Sequence, residues 1–251
     1  MEIVDLIFGF VEKFPGWPWP VCLVIWFGLI FSLLVFHLSL GVRRRPLWKR
    51  TAMVLGFVHH DEDTSLPNTL NSLDSFLDVD GFQTRSLDVL SSEADGVQKW
   101  LLDHATGTSR KLRTACVMRT SELQVSHFKL LAIGGSLRRR EEQVSFQEDP
   151  DFSRIFMLTT DNPPAIKRLF DPMLRQHFVR LFHRCRELEK SNTDWLDVLM
   201  LRLSSAIGYF EVEVANDTLS VHLSRIINPR GAPEFLALTT ETLQILKGQI
   251  P

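Results

Sequence analysis

The chain has few cysteines and none of the short motifs that mark the common enzyme classes. Its three cysteines, Cys22, Cys116 and Cys185, form no C-x-x-C pair, so their spacing indicates reduced thiols rather than a disulfide framework. The sequence also lacks G-x-S-x-G, G-x-G-x-x-G and G-x-x-x-x-G-K-[ST], the patterns of a hydrolase elbow, a dinucleotide fold and a P-loop. We therefore predict no catalytic constellation and no cofactor.

A strong charge of one sign is absent too. Lys and Arg number 28 against 30 Asp and Glu, so no basic field marks the chain as a nucleic-acid binder. The most metal-like stretch is His59-His60-Asp61-Glu62-Asp63. Its neighbouring side chains point apart in an extended chain, and no second ligand pair stands at a recognised spacing. We interpret it as an acidic loop and predict no metal site.

Charged residues are missing altogether from Val21 to Val42. About 22 residues at roughly 1.5 Å each make a helix of about 33 Å, enough to cross a hydrocarbon core of roughly 30 Å. Trp17, Trp19 and Trp48 flank this run, as amphipathic rings do at membrane interfaces. No A-x-A cleavage site follows it, which argues against a signal peptide. The sequence predicts a retained transmembrane anchor at 17–50, with the span at about 21–42.

Basic residues crowd one side of this predicted span. Lys13 is the only cation before it, whereas five follow within eight residues: Arg43, Arg44, Arg45, Lys49 and Arg50. The positive-inside bias places the N-terminus outside and residues 43–251 in the cytoplasm. The lipid bilayer is thus a predicted partner. With Arg138 to Arg140, the same cations make anionic-lipid binding an alternative function.

The remaining chain divides into three predicted segments. Residues 1–16 have polar or small side chains at helical spacing and predict an amphipathic interfacial segment. Residues 51–80 predict a linker or loop, because from 59 onward they are acidic and rich in Ser, Asn and Pro. Residues 81–251 predict one cytosolic domain. The predicted fold class is α+β, an antiparallel sheet with packed helices after the transmembrane helix.

Alternating and turn-rich stretches predict the elements of this domain. The predicted strands are 82–90, 96–104, 111–120, 127–133, 143–146 and 154–159. Asn162 before two prolines predicts a helix start, and Asp171-Pro172 predicts a restart. Further helices are predicted at Asp194 to Ser205 and from 232 to near Gly248.

The clearest local pattern is GYFEVEVANDTLSVHLS. Asn216-Asp217 suits the positive φ angles of a tight hairpin turn. One register puts all the apolar side chains on one face, pairing Val214 with Leu219, Val212 with Val221 and Phe210 with Leu223. On the other face Glu211 lies opposite His222, where we predict a surface hydrogen bond. His104 and His127 have no partner that the sequence reveals.

The segment 144–178 resembles a loosely defined group of uncharacterised bacterial single-pass membrane proteins. Its motifs are P-x-F-S-R-x-F-x-L, here Pro150 to Leu158, and I-[KR]-x-L-F, here Ile166 to Phe170. The resemblance implies a short anchor with a cytosolic α+β domain, and it implies no reaction. Asp151, Ser153 and Arg154 lie in the first motif and are candidate binding residues. A turn in which Phe152 packs is the structural alternative.

Together these features favour a non-enzymatic, single-pass membrane protein that binds a protein partner or serves as a scaffold. A membrane-tethered hydrolase or transferase is an alternative, with Asp151, Arg154 or His127 in a cleft. Recognition of anionic lipid is another.

Overall fold

The computed structural model describes residues 19–60, 73, 85–106, 111–132, 143–191 and 210–249. The segment predicted at 1–16, the helix predicted at Asp194 to Ser205, Arg138 to Arg140 and most of the predicted linker lie outside these residues. Two compact units make up the chain, Met1–Pro46 and Leu47–Pro251.

One long helix, α1 (Trp19–Leu55), contains the predicted span. Val21, Phe27 and Phe31 expose much of their apolar surface. Within the part of the chain that the structure describes, no helix is both long enough and apolar enough to cross a membrane. The side chains of 33–43 lie outside the description. The anchor therefore stays a prediction.

The last turns of α1 belong to the second unit. Trp48 is fully buried at 0% exposure, and its indole nitrogen donates a hydrogen bond to the Asp103 carboxylate. The prediction that Trp48 lies at a membrane interface is therefore wrong, since its ring fills the domain core. Residues 51–60, predicted as the start of a linker, instead complete α1 and form a short strand, β1 (Val58–His60).

A single sheet contains the nine strands of the described residues, and every pairing is antiparallel. The strand order is β1-β2-β3-β4-β9-β8-β5-β7-β6. After β1 come β2 (Arg85–Ala94), β3 (Val97–Thr106), β4 (Lys111–Arg119), β5 (Phe128–Ala132), β6 (Gln143–Val144), β7 (Phe156–Thr160), β8 (Glu211–Ala215) and β9 (Thr218–His222). The C-terminal hairpin thus lies between β4 and β5. The prediction of an α+β fold with a large antiparallel sheet is confirmed.

Capping residues set the helix starts. Asn162 accepts a bond from the Ala165 N–H, and Asp171 accepts one from the Leu174 N–H at 2.7 Å. Both predicted starts are confirmed. The helices after α1 are α2 (Pro150–Ile155), α3 (Pro163–Leu169), α4 (Pro172–Ser191) and α5 (Ala232–Gly248). The strand predicted at 154–159 begins later, at Phe156, because Asp149 caps α2 and holds 150–155 as helix.

The main core lies on one face of the sheet, which we call the helix face because α4 and α5 pack there. Phenylalanine rings dominate it, many in edge-to-face contact: Phe128, Phe146, Phe152, Phe156, Phe170 and Phe178. Trp48 and Ala52 of α1 belong to the same core. Burial of this apolar surface is the main stabilising contribution.

The C-terminal hairpin has the predicted register. Val214 pairs with Leu219 and Val212 with Val221, and Asn216 at the turn has φ +55°. Glu211 does pair with His222 in the register, but both are buried. The predicted surface hydrogen bond is therefore wrong. Glu211 takes cations from β4 and β5 as partners instead, because neighbouring strands flank the hairpin on both sides.

Candidate functional site

Ionisable side chains concentrate on the sheet face opposite the helices. Side chains alternate along strands, so the residues that point away from the helix face on adjacent strands form one row. The row contains His104, Arg113, Lys129, Glu211, Glu213 and His222, which we call the buried ionic cluster. All but Lys129 are buried. No other part of the described chain brings so many charged groups together inside the protein.

Glu211 is the centre of this cluster. Both terminal nitrogens of Arg113 donate to Glu211 Oε2 at 3.2 Å, while Lys129 Nζ lies 2.6 Å from Glu211 Oε1. Arg113 also donates from Nε to the Leu223 carbonyl oxygen. Burial acts to raise the pKa of Glu211, but the charges of Arg113 and Lys129 outweigh it and hold this pKa below its usual value. The carboxylate therefore stays ionised and bound by two cations.

Two histidines extend the cluster. His104 Nε2 and His222 Nδ1 are 3.1 Å apart, so the N–H of one ring donates a hydrogen bond to the nitrogen of the other. Burial lowers the pKa of both rings well below the ordinary value, and the Arg113 charge lowers both further. The pair is neutral at pH 7. At the rim, His127 Nε2 lies 3.5 Å from the fully buried Glu213.

The histidine pair predicts acid-sensitive stability. Because the pKa of each ring is lowered in the fold, the unfolded chain binds protons first, once the pH falls below about 6.5. The free energy of unfolding should then fall by up to about 1.4 kcal/mol per pH unit for each histidine. Arg113 and Lys129 oppose ring protonation, and Glu211 offsets them in part.

Denaturant unfolding of the detergent-solubilised chain at a series of pH values between neutral and mildly acidic measures this slope. The double variant His104→Gln, His222→Gln should flatten it. His183→Gln is the control, since His183 is exposed on α4. An unchanged slope in the double variant would contradict the assignment.

A second polar network fixes the end of α1 in the domain. Asp103 accepts from Trp48 Nε1 at 2.9 Å and from Thr114 Oγ1 at 2.5 Å. Thr114 Oγ1 in turn accepts from the Ile227 N–H at 3.1 Å. Thr51, one turn after Trp48, donates to the Pro229 carbonyl oxygen. This network, which we call the α1 junction, joins the helix to β3, β4 and the chain before α5.

The candidate binding residues of α2 lie apart from both networks. The side chains of Asp151 and Arg154 are 82% and 80% exposed, and they approach only each other, at 3.6 Å. Ser153 Oγ bonds to the backbone N–H and carbonyl of Phe146, while Phe152 is buried. The contacts of Ser153 and Phe152 are those of a packed turn. His127, which the hydrolase hypothesis named with Asp151 and Arg154, contacts Glu213 instead.

The adjacent histidines of β1 point to opposite faces, as expected. His59 Nε2 is 3.1 Å from Asp88 Oδ1, and His60 Nε2 is 2.7 Å from Ser91 Oγ. Across the described ranges, no group of three or more His, Cys, Asp or Glu side chains has an arrangement that could hold a metal ion. A groove of about 430 Å³ beside α3 is lined by Gln124 to Ser126, Gln249 and α3 residues. None of the candidate residues lines it.

Both described cysteines lie in the core. Burial raises the pKa of Cys116 to about 12 and raises that of Cys185 as well. Their thiols are therefore protonated at pH 7 and poor nucleophiles.

Most of the buried ionic cluster is not evident from the sequence. Arg113 and Lys129 are separated by many residues from Glu211, and only the strand order brings them together. One signal was available: Lys129 interrupts the apolar run HFKLLAI, so a buried strand there required an acidic partner.

No family model and no curated protein matches the chain. Among solved structures, the crystal structure of the mycobacterial trehalose monomycolate transport factor A, TtfA, is similar, with a TM-score of 0.49 and 12% identity. The alignment covers 82% of this chain and 96% of that one.

Proposed function

We propose that the chain is a single-pass membrane protein whose α+β domain is a non-enzymatic binding or scaffold module. The N-terminus lies outside and the domain in the cytoplasm, at the inner membrane of a bacterial cell. The uncharged run from Val21 to Val42 and the cations after it support this topology. The protein partner is bound by the domain.

The observation that carries the proposal is the α1 junction. The helix that holds the predicted span ends inside the domain core, where Trp48 and Ala52 are buried and Asp103 binds the indole N–H. A membrane tether that only retains an enzyme needs no such attachment, and a flexible linker would serve it. A helix built into the core suits a protein whose task is to present its domain at the membrane.

The chemistry of the buried groups supports a binding role as well. Glu211 is held by two cations, the His104–His222 pair is neutral, and the thiols of Cys116 and Cys185 are protonated. Nucleophiles and general bases need a pKa tuned toward the working pH and access to substrate. In the described residues the strongest pKa shifts instead keep buried histidines and thiols uncharged, as expected of side chains packed inside a fold.

Fractionation and reporter fusions test the topology. We expect the full-length chain to stay in the membrane after alkaline carbonate washing. A C-terminal green fluorescent protein should fluoresce, and a C-terminal alkaline phosphatase should be inactive. Release by carbonate, or an active C-terminal phosphatase, would refute the topology. A pull-down from solubilised membranes that recovers no specific protein would refute the binding role.

A further inference from the structure

The outer side of the last α1 turns exposes apolar side chains beside cations. Met53 is 73% exposed and Val54 81%. Lys49 and Arg50 are exposed one turn earlier. We call these four residues the outer α1 face. It lies opposite Trp48 and Ala52, which the domain core covers.

Exposed apolar side chains are concentrated at this end of the chain. The described residues with large exposed hydrophobic side chains are Val21, Phe27, Phe31, Met53, Val54, Val58 and Met173. Only Met173 lies outside the first 58 residues. Three of the others fall in the predicted span, where lipid would cover them. Met53 and Val54 belong to the outer α1 face, whereas Val58 lies on β1 with its side chain on the sheet face opposite the helices. A cluster of this kind beside polar residues marks an interaction surface.

We propose that the outer α1 face docks on an anionic bilayer surface, an inference that rests on the proposed membrane anchor. Apolar side chains next to Lys and Arg on one helical side are typical of segments that lie in the headgroup region. The cations are attracted by anionic lipid, while Met53 and Val54 enter the boundary of the acyl chains.

The position of the face in the chain favours this partner. Lys49 follows the end of the predicted span by seven residues, so the anchor keeps the face near the headgroups at high effective concentration. Pro46, inside α1, lacks the N–H of a helical hydrogen bond, and proline is a common site of helix bending.

A second copy of the chain fits the face less well. In a twofold contact the same patch meets itself, which would bring Lys49 and Arg50 near their like-charged counterparts. An anionic surface has the complementary charge.

Spin labelling of the full-length chain tests the docking. Val54→Cys in a Cys22→Ser background carries the label, and the buried Cys116 and Cys185 remain. The chain is reconstituted into vesicles of phosphatidylcholine and of an equal mixture with phosphatidylglycerol. A label at the exposed position Glu187 is the control. In anionic vesicles we expect the Val54→Cys label to collide with oxygen several-fold more often than the control label does. Its collisions with an aqueous nickel complex should be several-fold less frequent than those of the control. Adding Lys49→Glu and Arg50→Glu should return the label to water.

The outcomes separate the two proposals. A label as accessible to nickel as the Glu187 control in both vesicle types overturns the docking while the anchor stands, provided that the chain resists carbonate. Protection that is equal in both vesicle types and persists in Lys49→Glu, Arg50→Glu also overturns it, because a protein copy then covers the face. A chain that fails to insert at all refutes the proposed anchor itself.

Discussion

Replacement of Glu211 with alanine is expected to lower the free energy of unfolding by about 3–5 kcal/mol, the range for breaking a buried ion pair by removing one partner. Arg113 and Lys129 lose the carboxylate that neutralises them. Arg113 is buried, and transfer of a charge away from water is costly unless that charge is paired. Few single substitutions of a polar side chain have effects of this size.

Denaturant unfolding of the full-length chain in detergent, followed by circular dichroism, measures the change. Glu234→Ala is the matched control, since Glu234 forms an exposed ion pair with Arg184 at 2.9 Å. Exposed pairs contribute about 0–1 kcal/mol, so this variant should unfold almost like the parent chain. Equal effects of the two substitutions would show that the buried ionic cluster does not stabilise the fold.

The paired variant Arg113→Met, Glu211→Leu probes the cluster in a second way. Replacing both charged partners by apolar side chains of similar volume is often close to neutral. Here Lys129 would still lose its carboxylate, so we expect a loss smaller than that of Glu211→Ala but not zero. A paired variant less stable than Glu211→Ala would contradict the assignment of Glu211 as the centre of the cluster.

Local patterns predicted the elements whose structure depends on local chemistry. Asn162 and Asp171 begin helices because their side chains accept hydrogen bonds from the backbone N–H groups three positions on. The hairpin register follows from a period of two and from a turn that tolerates positive φ at Asn216. These features need no knowledge of the remaining chain.

The buried ionic cluster could not be predicted in the same way. Arg113 and Glu211 are 98 positions apart, and His104 and His222 are 118 apart. They meet only because the C-terminal hairpin lies between β4 and β5. In isolation, the alternating pattern of the hairpin equally suits a sheet with one face in water. The predicted surface hydrogen bond between Glu211 and His222 failed for this reason.

The environment of Trp48 at the end of α1 could not be predicted from local sequence either. A tryptophan after an apolar run and three arginines fits a membrane interface, and it also fits the edge of a core that needs a ring with one polar atom. Only the carboxylate of Asp103 on β3 distinguishes the two. The second compact unit consequently begins at Leu47, well before residue 81, where the sequence predicted the start of the domain.

Trp48→Ala should therefore lower the free energy of unfolding of the domain by about 3–5 kcal/mol, as expected when a fully buried large side chain is deleted from a core. Trp48→Phe keeps most of the ring but removes the donor to Asp103, and we expect a loss of about 1–3 kcal/mol. Met53→Ala, one turn further on the exposed side, is the control and should change stability by less than about 0.5 kcal/mol. Unfolding monitored in detergent by circular dichroism ranks the three variants.

A chain beginning at Thr51 should behave like Trp48→Ala, whereas one beginning at Leu47 should fold. If the two truncated chains were equally stable, α1 would contribute nothing to the domain, and the α1 junction could not be what presents that domain at the membrane.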